Sequence, residues 1–268
     1  MDFAALYAIQ NEAEQVNRTY DLFNEEARLT DTPAGRVEFV TTMRILQRYL
    51  RPGARVLDLG AGTGRYSFAL AQQGCTVDAL ELADRNVEVF RKKLADAPQL
   101  PITLRQGTAL DLTAYDTAAY DLVLVFGPLY HLHSAADRQR CIAQAKRVCK
   151  PGGILCFAFI NNDMVILTEL AYDKTYLAGS SYDHDTFKVE DFPFVFFNPV
   201  QCRQMLREGG LDILAEVAAD GLSELMADTI NALDEASYRQ YLRYHWAMCE
   251  KPEMLGHSNH LLFVTRPQ

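Results

Sequence analysis

No apolar run in the sequence approaches the roughly 18 residues that a bilayer-spanning helix needs. Even "GGILCFAFI", residues 152–160, is only the size of one strand, so no membrane partner is expected. Paired cysteines are missing as well. Cys75, Cys141, Cys149, Cys156, Cys202 and Cys249 include no C-x-x-C, which argues against a dithiol redox centre or a cysteine zinc site. The opening "MDFAALYAIQNEAEQ" carries acids where a secretory leader needs positive charge followed by a long apolar stretch. The chain therefore reads as reduced and cytoplasmic. Basic residues are the third shortage, with 26 Lys and Arg against 35 Asp and Glu and a net charge of -9. Phosphate backbones are bound by clustered Lys and Arg, so a nucleic-acid partner is disfavoured. Arg44, Arg48, Arg51 and Arg55 form one local stripe, read as a solvated helix face. Internal repeats and low-complexity tracts are absent.

What is present is enough apolar content, 49% of 268 residues, to bury a full core. Short runs rich in branched residues, "RVLDLG", "TVDALEL", "ITLRQG", "YDLVLVFG" and "GGILCFAFI", alternate with helix-period stretches. That alternation predicts an α/β fold with a parallel sheet covered on both faces. "RPGARV", "QQGCTV" and "CKPGGIL" supply the helix stops between them. Residues 161–199 break the rhythm, being rich in Tyr, Phe and Asp without sustained periodicity. Beyond them "LDILAEVAAD" predicts a sixth strand, residues 222–250 two helices and "NHLLFVTR" a last strand.

Within "VLDLGAGTGRYSFALAQQG", Gly60, Gly62 and Gly64 follow a predicted strand and open a predicted helix. The backbone can turn tightly there and bring its N–H groups close to a ligand. Glu81 ends the next strand, where a carboxylate can take both ribose hydroxyls. A dinucleotide fingerprint reads G-x-G-x-x-G and holds a pyrophosphate at the helix N-terminus. Here the spacing is G-x-G-x-G, and Asp58 stands two residues before the first glycine. A carboxylate there repels a pyrophosphate but suits an ammonium group. The pattern points to an adenosine ligand with an amino acid portion.

"VLDLGAGTGRYS" resembles the first motif of class I S-adenosylmethionine-dependent methyltransferases, and the resemblance extends over most of the chain. "ELADRN" is similar to the family's ribose-binding loop and "QGTALDL" to the loop after the third strand. Thr108 stands there where members often carry an Asp, which leaves the adenine to Thr108, Ala109 and Leu110. "YDLVLVFGPLYHL" and "AKRVCKPGGIL" are similar to the fourth-strand motif and the helix-turn-strand after it. The resemblance implies a Rossmann-like, seven-stranded doubly wound sheet in the order 3-2-1-4-5-7-6, the last strand antiparallel. It also implies S-adenosylmethionine as cofactor and S-adenosylhomocysteine as product. The expected cofactor positions are Asp58, Gly60, Ala61, Gly62, Gly64 and Tyr66 in the first motif, and Glu81 and Leu82 in the second. Phe126 and Gly127 join Thr108 to Leu110 beyond the fourth strand. "NEEARLTDTPAGRVEFVTTMRIL" is similar to a helical lid in a bacterial subgroup, where Tyr20, Arg28 and Arg36 are the residues of interest, Tyr20 and Arg36 as cofactor contacts. The whole chain, 1–268, is then one methyltransferase domain: a helical cap over 1–50, a cofactor-binding half over 51–160, a lid or substrate insertion over 161–199, and C-terminal helices and strands over 200–268.

Ligands of such sheets lie beyond the carboxyl ends of the strands, where strand order reverses. "FGPLYHL" leaves the fourth strand there and projects Tyr130 and His131 toward the reacting methyl group. His131 is the candidate general base, its ordinary pKa lying near neutrality, with shaping of the loop as its other use. Tyr130 is the candidate for orienting a substrate. Tyr172, Tyr176, Tyr182, Phe187, Phe192, Phe194, Phe196 and Phe197 are expected to build the acceptor pocket, the alternative being a sheet edge or a homodimer contact. His131 with His133 and His257 with His260 lack the companions of a recognised zinc pattern, so no metal is expected. Tyr238, Leu242, His245 and Cys249 share helix spacing and read as a packed face. The expected activity is methyl transfer to a small molecule, against the alternatives of an RNA or protein acceptor, a nicotinamide-dependent oxidoreductase, or an S-adenosylmethionine-binding protein without turnover. Oxygen, nitrogen, sulfur and carbon acceptors are not distinguished.

Overall fold

The computed structural model of the chain describes residues 6, 9, 11–22 and 28–268, the side chains of 12, 13 and 22 excepted. The remaining N-terminal positions, and with them part of the expected 1–50 cap and of the acidic opening segment, lie outside the described residues. The branched apolar runs form β1 (Arg55–Leu59), β2 (Thr76–Glu81), β3 (Ile102–Gln106), β4 (Tyr120–Val125) and β5 (Cys149–Asn161). A two-residue strand, β6 (Phe196–Phe197), follows, and then β7 (Leu211–Ala218) and β8 (His260–Pro267). β1 is buried from Val56 to Leu59, as a central parallel strand covered on both faces must be. The strands pair in the order β3-β2-β1-β4-β5-β8-β7. β8 runs antiparallel to both neighbours. The expected order is thus realised, with β6 as an addition that pairs in parallel with the end of β5.

Helices cover the two faces. In chain order they are α1 (Glu12–Leu22), α2 (Arg36–Leu46), α3 (Arg65–Gln72), α4 (Asp84–Ala95), α5 (Pro128–His131) and α6 (Ala135–Val148). After β5 come α7 (Asn162–Tyr172), α8 (Pro199–Glu208), α9 (Ala227–Asn231), α10 (Glu235–Met248) and α11 (Pro252–Leu255). Alternate strand residues feed two cores, because successive side chains point to opposite faces. Leu57, Leu59, Val123, Phe157 and Phe263 pack on one face, and Val56, Val77, Leu122, Cys156 and Leu262 on the other. All six cysteines are free and buried, consistent with their lack of pairing in the sequence.

One expectation needs correction. Residues 161–199 were expected to lack periodicity, yet an eleven-residue helix, α7, starts them. Asn161 closes β5 and caps that helix, its side chain accepting the Asp163 N–H at 3.2 Å. Four consecutive apolar residues, Met164 to Leu167, hide the helical period in the sequence. Only Asn162, Met164 and Thr168 of α7 are buried.

Candidate active site

The glycine turn is tied to β2. Gly60 and Ala61 donate their N–H groups to the Leu80 carbonyl at 2.9 and 3.1 Å. Gly60 adopts φ +73°, and a Cβ on it would stand 2.8 Å from Pro128 Cδ, so both conformation and space demand glycine there. Gly64 lies on the other side of the turn, packed against Phe90, and serves the seating of α3 on α4 rather than the cavity. Glu81 is buried and faces back to the turn, accepting the Gly62 N–H at 2.7 Å and the Ala83 N–H at 2.8 Å. Burial raises its pKa, and those N–H donors oppose the rise.

Asp58 is 1% exposed. The Ser67 hydroxyl donates to its Oδ2 at 2.6 Å, while Oδ1 is buried without a protein partner. Burial, opposed by the Ser67 hydrogen bond and aided by the Glu81 charge, pushes its pKa up to about 6. A buried carboxylate with one bare oxygen is expensive. A ligand ammonium would satisfy it.

A cavity of about 450 Å³ opens beside the turn, lined by Tyr20, Gly60, Leu80 to Leu82, Gly107 to Leu110, Gly127 and His131 among others. A narrower cleft shares Tyr20 and Gly60 with it and continues past Ala61, Gly62, Arg65, Tyr66, Phe126 and Tyr130. The sequence-expected positions therefore converge, Asp58 and Gly64 sitting behind the turn. Arg36 is not brought to either space. It is exposed at the first position of α2, its Nε donating to the Thr32 carbonyl at 3.4 Å, and the basic side chains that line the cleft are Arg28 and Arg65.

His131 is buried, and its Nε2 lies 2.9 Å from the Tyr20 hydroxyl. Burial, with a smaller contribution from the His133 charge, lowers its pKa to about 3. At neutral pH such an imidazole holds no added proton, and the nitrogen toward Tyr20 is engaged. Its geometry is that of a latch between α1 and α5. Tyr130 lines the cleft, and its carbonyl accepts the Val195 N–H at 2.8 Å.

A second cavity, of about 530 Å³, lies under the segment after α7. Tyr176, Phe192, Phe194 and Phe196 line it, together with Glu169, Glu190, Glu224 and His260. The other expected aromatics go elsewhere. Phe197 alternates with Phe196 along β6 and turns into the core, 5.6 Å from the Phe159 ring. Tyr182 is buried and donates its hydroxyl to the Leu177 carbonyl at 2.9 Å, and Tyr172 and Phe187 are 72% and 58% exposed. Phe194 meets Tyr130 at 6.1 Å between centroids, and His260 lines both cleft and second cavity. The two spaces adjoin at these residues.

His260 belongs to a cluster that sequence spacing does not reveal. Its Nδ1 lies 2.7 Å from Asp220 Oδ2 and 3.5 Å from Glu38 Oε2. Among the described residues this is the one group with metal-ligand types within reach of each other. It already carries its own cations, since Arg28 pairs with Glu38 at 2.6 Å and the ring faces two carboxylates. His257, the other half of the H-x-x-H, is exposed and bonds the Glu253 carbonyl at 3.1 Å. Tyr238 and Cys249 take up packing and hydrogen-bonding positions, the Tyr238 hydroxyl donating to the Pro33 carbonyl at 2.7 Å.

The profile of a family described as a methyltransferase domain matches residues 57–157, from β1 through most of β5. The ubiquinone biosynthesis O-methyltransferase of Maricaulis maris is 29% identical over 167 residues, 62% of this chain and 61% of that protein. Its namesake in Coxiella burnetii is 28% identical over 199 residues, 72% of this chain and 80% of the other. Among solved structures, the CcbJ methyltransferase from Streptomyces caelestis superimposes with a TM-score of 0.59 at 16% identity, covering 96% of this chain and 97% of that one. Among the described residues no helix is long and apolar enough to cross a membrane. The matched stretch contains the G-x-G-x-G turn, Asp58 with its bare oxygen and Glu81, so the elements expected of the cofactor site fall within a methyltransferase domain.

Proposed function

We propose that this methyltransferase acts on a small-molecule acceptor seated in the second cavity, with the cofactor in the first cavity and the cleft. The observation that carries the reading is that two separate spaces, one built by the glycine turn and Glu81 and the other by the aromatic segment, adjoin at His260 and the Tyr130–Phe194 contact. S-adenosylmethionine supplies an electrophilic methyl group on a sulfonium. Everything else falls to the chain. Asp58 Oδ1 receives the ammonium group, and the Gly60–Gly62 backbone allows close approach. Glu81 Oε1 accepts the Ala83 N–H and the Asn86 amide, while Oε2 accepts the Gly62 N–H and keeps a lone pair for a ribose hydroxyl. Leu82 and the Thr108–Leu110 loop enclose the base, and Phe126 and Gly127 floor the cleft. The Tyr20–His131 latch closes α1 over the first cavity and excludes water.

A cavity of this size suits a metabolite, and three glutamates in its lining disfavour RNA. Relatives named O-methyltransferases of ubiquinone biosynthesis make hydroxyl-bearing metabolites the first acceptors to try. The test is calorimetry with S-adenosylmethionine and S-adenosylhomocysteine, then radiolabelled methyl transfer across a metabolite panel. Saturable binding that disappears in Glu81→Ala is expected. Absence of binding by either compound would overturn the reading.

A further inference from the structure

His260 opens β8 and is common to the cleft and the second cavity. Asp220 fixes it twice. Oδ1 accepts the His260 backbone N–H at 3.1 Å, and Oδ2 stands 2.7 Å from the ring Nδ1. The Ser258 hydroxyl donates in turn to Asp220, which also holds Asp220 in place. Glu38 approaches the same Nδ1 at 3.5 Å. Both carboxylates therefore lie on the Nδ1 side of the ring, and among the described residues no protein hydrogen bond engages Nε2. A histidine with one nitrogen oriented by a carboxylate and the other turned to a reaction space has the build of a general base. His131 lacks it, being tied to Tyr20 and held neutral by burial.

We propose that His260 accepts the acceptor's proton during methyl transfer, Asp220 orienting its ring, and that arrival of the cofactor's sulfonium is what readies it. The inference rests on the assignment of the cleft to the cofactor and of the second cavity to the acceptor. In the step, a lone pair on the acceptor's oxygen or nitrogen forms the bond to the methyl carbon, and the carbon–sulfur bond breaks with its pair going to sulfur. The electrons of the acceptor's O–H or N–H bond stay on that atom while the proton passes to Nε2. A sulfonium and a neutral imidazole become a thioether and an imidazolium, so charge balances. The proton stays on the ring after transfer, and the next sulfonium to arrive displaces it.

The ring must be neutral when the donor is bound. Burial alone would lower its pKa, but Glu38 and Asp220 overcome burial and raise it to about 9. The groups facing it are Glu38 and Arg28 from the N-terminal part, Asp220 and Glu224 from the segment after β7, and Tyr130 from α5. The free protein thus carries an imidazolium at neutral pH. A sulfonium entering the same cleft repels that charge and displaces the proton, whereas the uncharged thioether of the product does not.

Calorimetry on the full chain at pH 8, in two buffers of different ionisation enthalpy, reads this directly. S-adenosylmethionine should bind with release of about one proton, and S-adenosylhomocysteine with close to none. His260→Gln should bind S-adenosylmethionine without release. Glu38→Gln, which keeps the ring and Asp220, should move the pH window of the release downward and serves where the histidine variant does not fold. Equal proton release in wild type and His260→Gln, or none in wild type despite binding, would overturn the inference alone. No binding of either compound would overturn the cofactor assignment, and the inference with it.

Discussion

The Tyr20 hydroxyl and Nε2 of His131 lie 2.9 Å apart, and this contact joins the N-terminal helix to the loop that leaves β4. Both side chains line the first cavity. Two further bonds hold α1 to the start of α4: the Asp84 N–H donates to Asn17 Oδ1 at 2.7 Å, and Arg85 donates to the Asp21 carbonyl at 2.7 Å. The N-terminal helix is thereby a wall of the cavity, set by side chains distant in sequence.

Tyr20→Phe keeps the ring and removes the bond. A hydrogen bond of this kind is worth about 1 kcal/mol net, so S-adenosylhomocysteine affinity should fall by up to about fivefold while the melting temperature changes little. Unchanged affinity in calorimetry would show that the latch does not act on the ligand.

Asp58 carries a pH signature. Its folded pKa of about 6 lies above the ordinary 3.8, so the folded protein holds this proton more tightly than the unfolded chain. Stability from this group therefore falls as pH rises from about 4 to about 6, at a cost on the order of 3 kcal/mol. Asp58→Asn removes that cost, and the ligand-free variant should melt higher than wild type at pH 7. It should also bind S-adenosylmethionine about 10- to 100-fold more weakly, the equivalent of a charge-assisted hydrogen bond. A variant that melts lower and binds normally would contradict both statements.

His260 carries the same sign over a higher pH window. Its folded pKa of about 9 lies above the ordinary 6.5, so its stabilisation is complete below about 6.5 and is lost as pH rises through 9. Asp220, held below its usual range against burial chiefly by the His260 charge, shares this same interaction energy. The difference in melting temperature between wild type and His260→Gln should shrink from pH 6 to pH 10. A constant difference across that range would mean that the ring is neutral throughout.

Gly60→Ala places a Cβ 2.8 Å from Pro128 Cδ at a φ of +73°. Strain and overpacking together should cost about 1–3 kcal/mol, seen as a lowered melting temperature. The shifted turn should also lose S-adenosylhomocysteine binding. A variant that melts and binds like wild type would show that Pro128 yields freely.

Much of the candidate cofactor site was legible because its residues are local in the chain. Asp58, the three glycines and α3 occupy consecutive positions, and Glu81 follows one crossover later, so strand alternation alone carries them to the carboxyl ends of β1 and β2. The branched runs of β1, β2 and β4, largely buried, could hardly be anything but central strands. Where the reading failed, the pattern was ambiguous for a physical reason. The consecutive apolar residues of α7 mask a 3.6-residue period. Phe196 and Phe197 are chemically alike, and only the pairing of β6 with β5 decides which one faces the cavity. Arg36 and Arg28 both belong to the same N-terminal segment, and the start of α2 turns the first outward.

By itself the sequence determined the class of sheet and the glycine turn, because these follow from periodicity and from residues adjacent in the chain, while the strand order was implied by the family resemblance. Tertiary structure alone decided the proton chemistry. Glu38, Asp220 and His260 come from three distant segments that meet where antiparallel β8 begins beside the carboxyl end of β5. That meeting raises the pKa of one histidine, while burial lowers that of His131. A histidine's charge state is set by the desolvation and the neighbouring charges it meets in space, and neither is written in its sequence position.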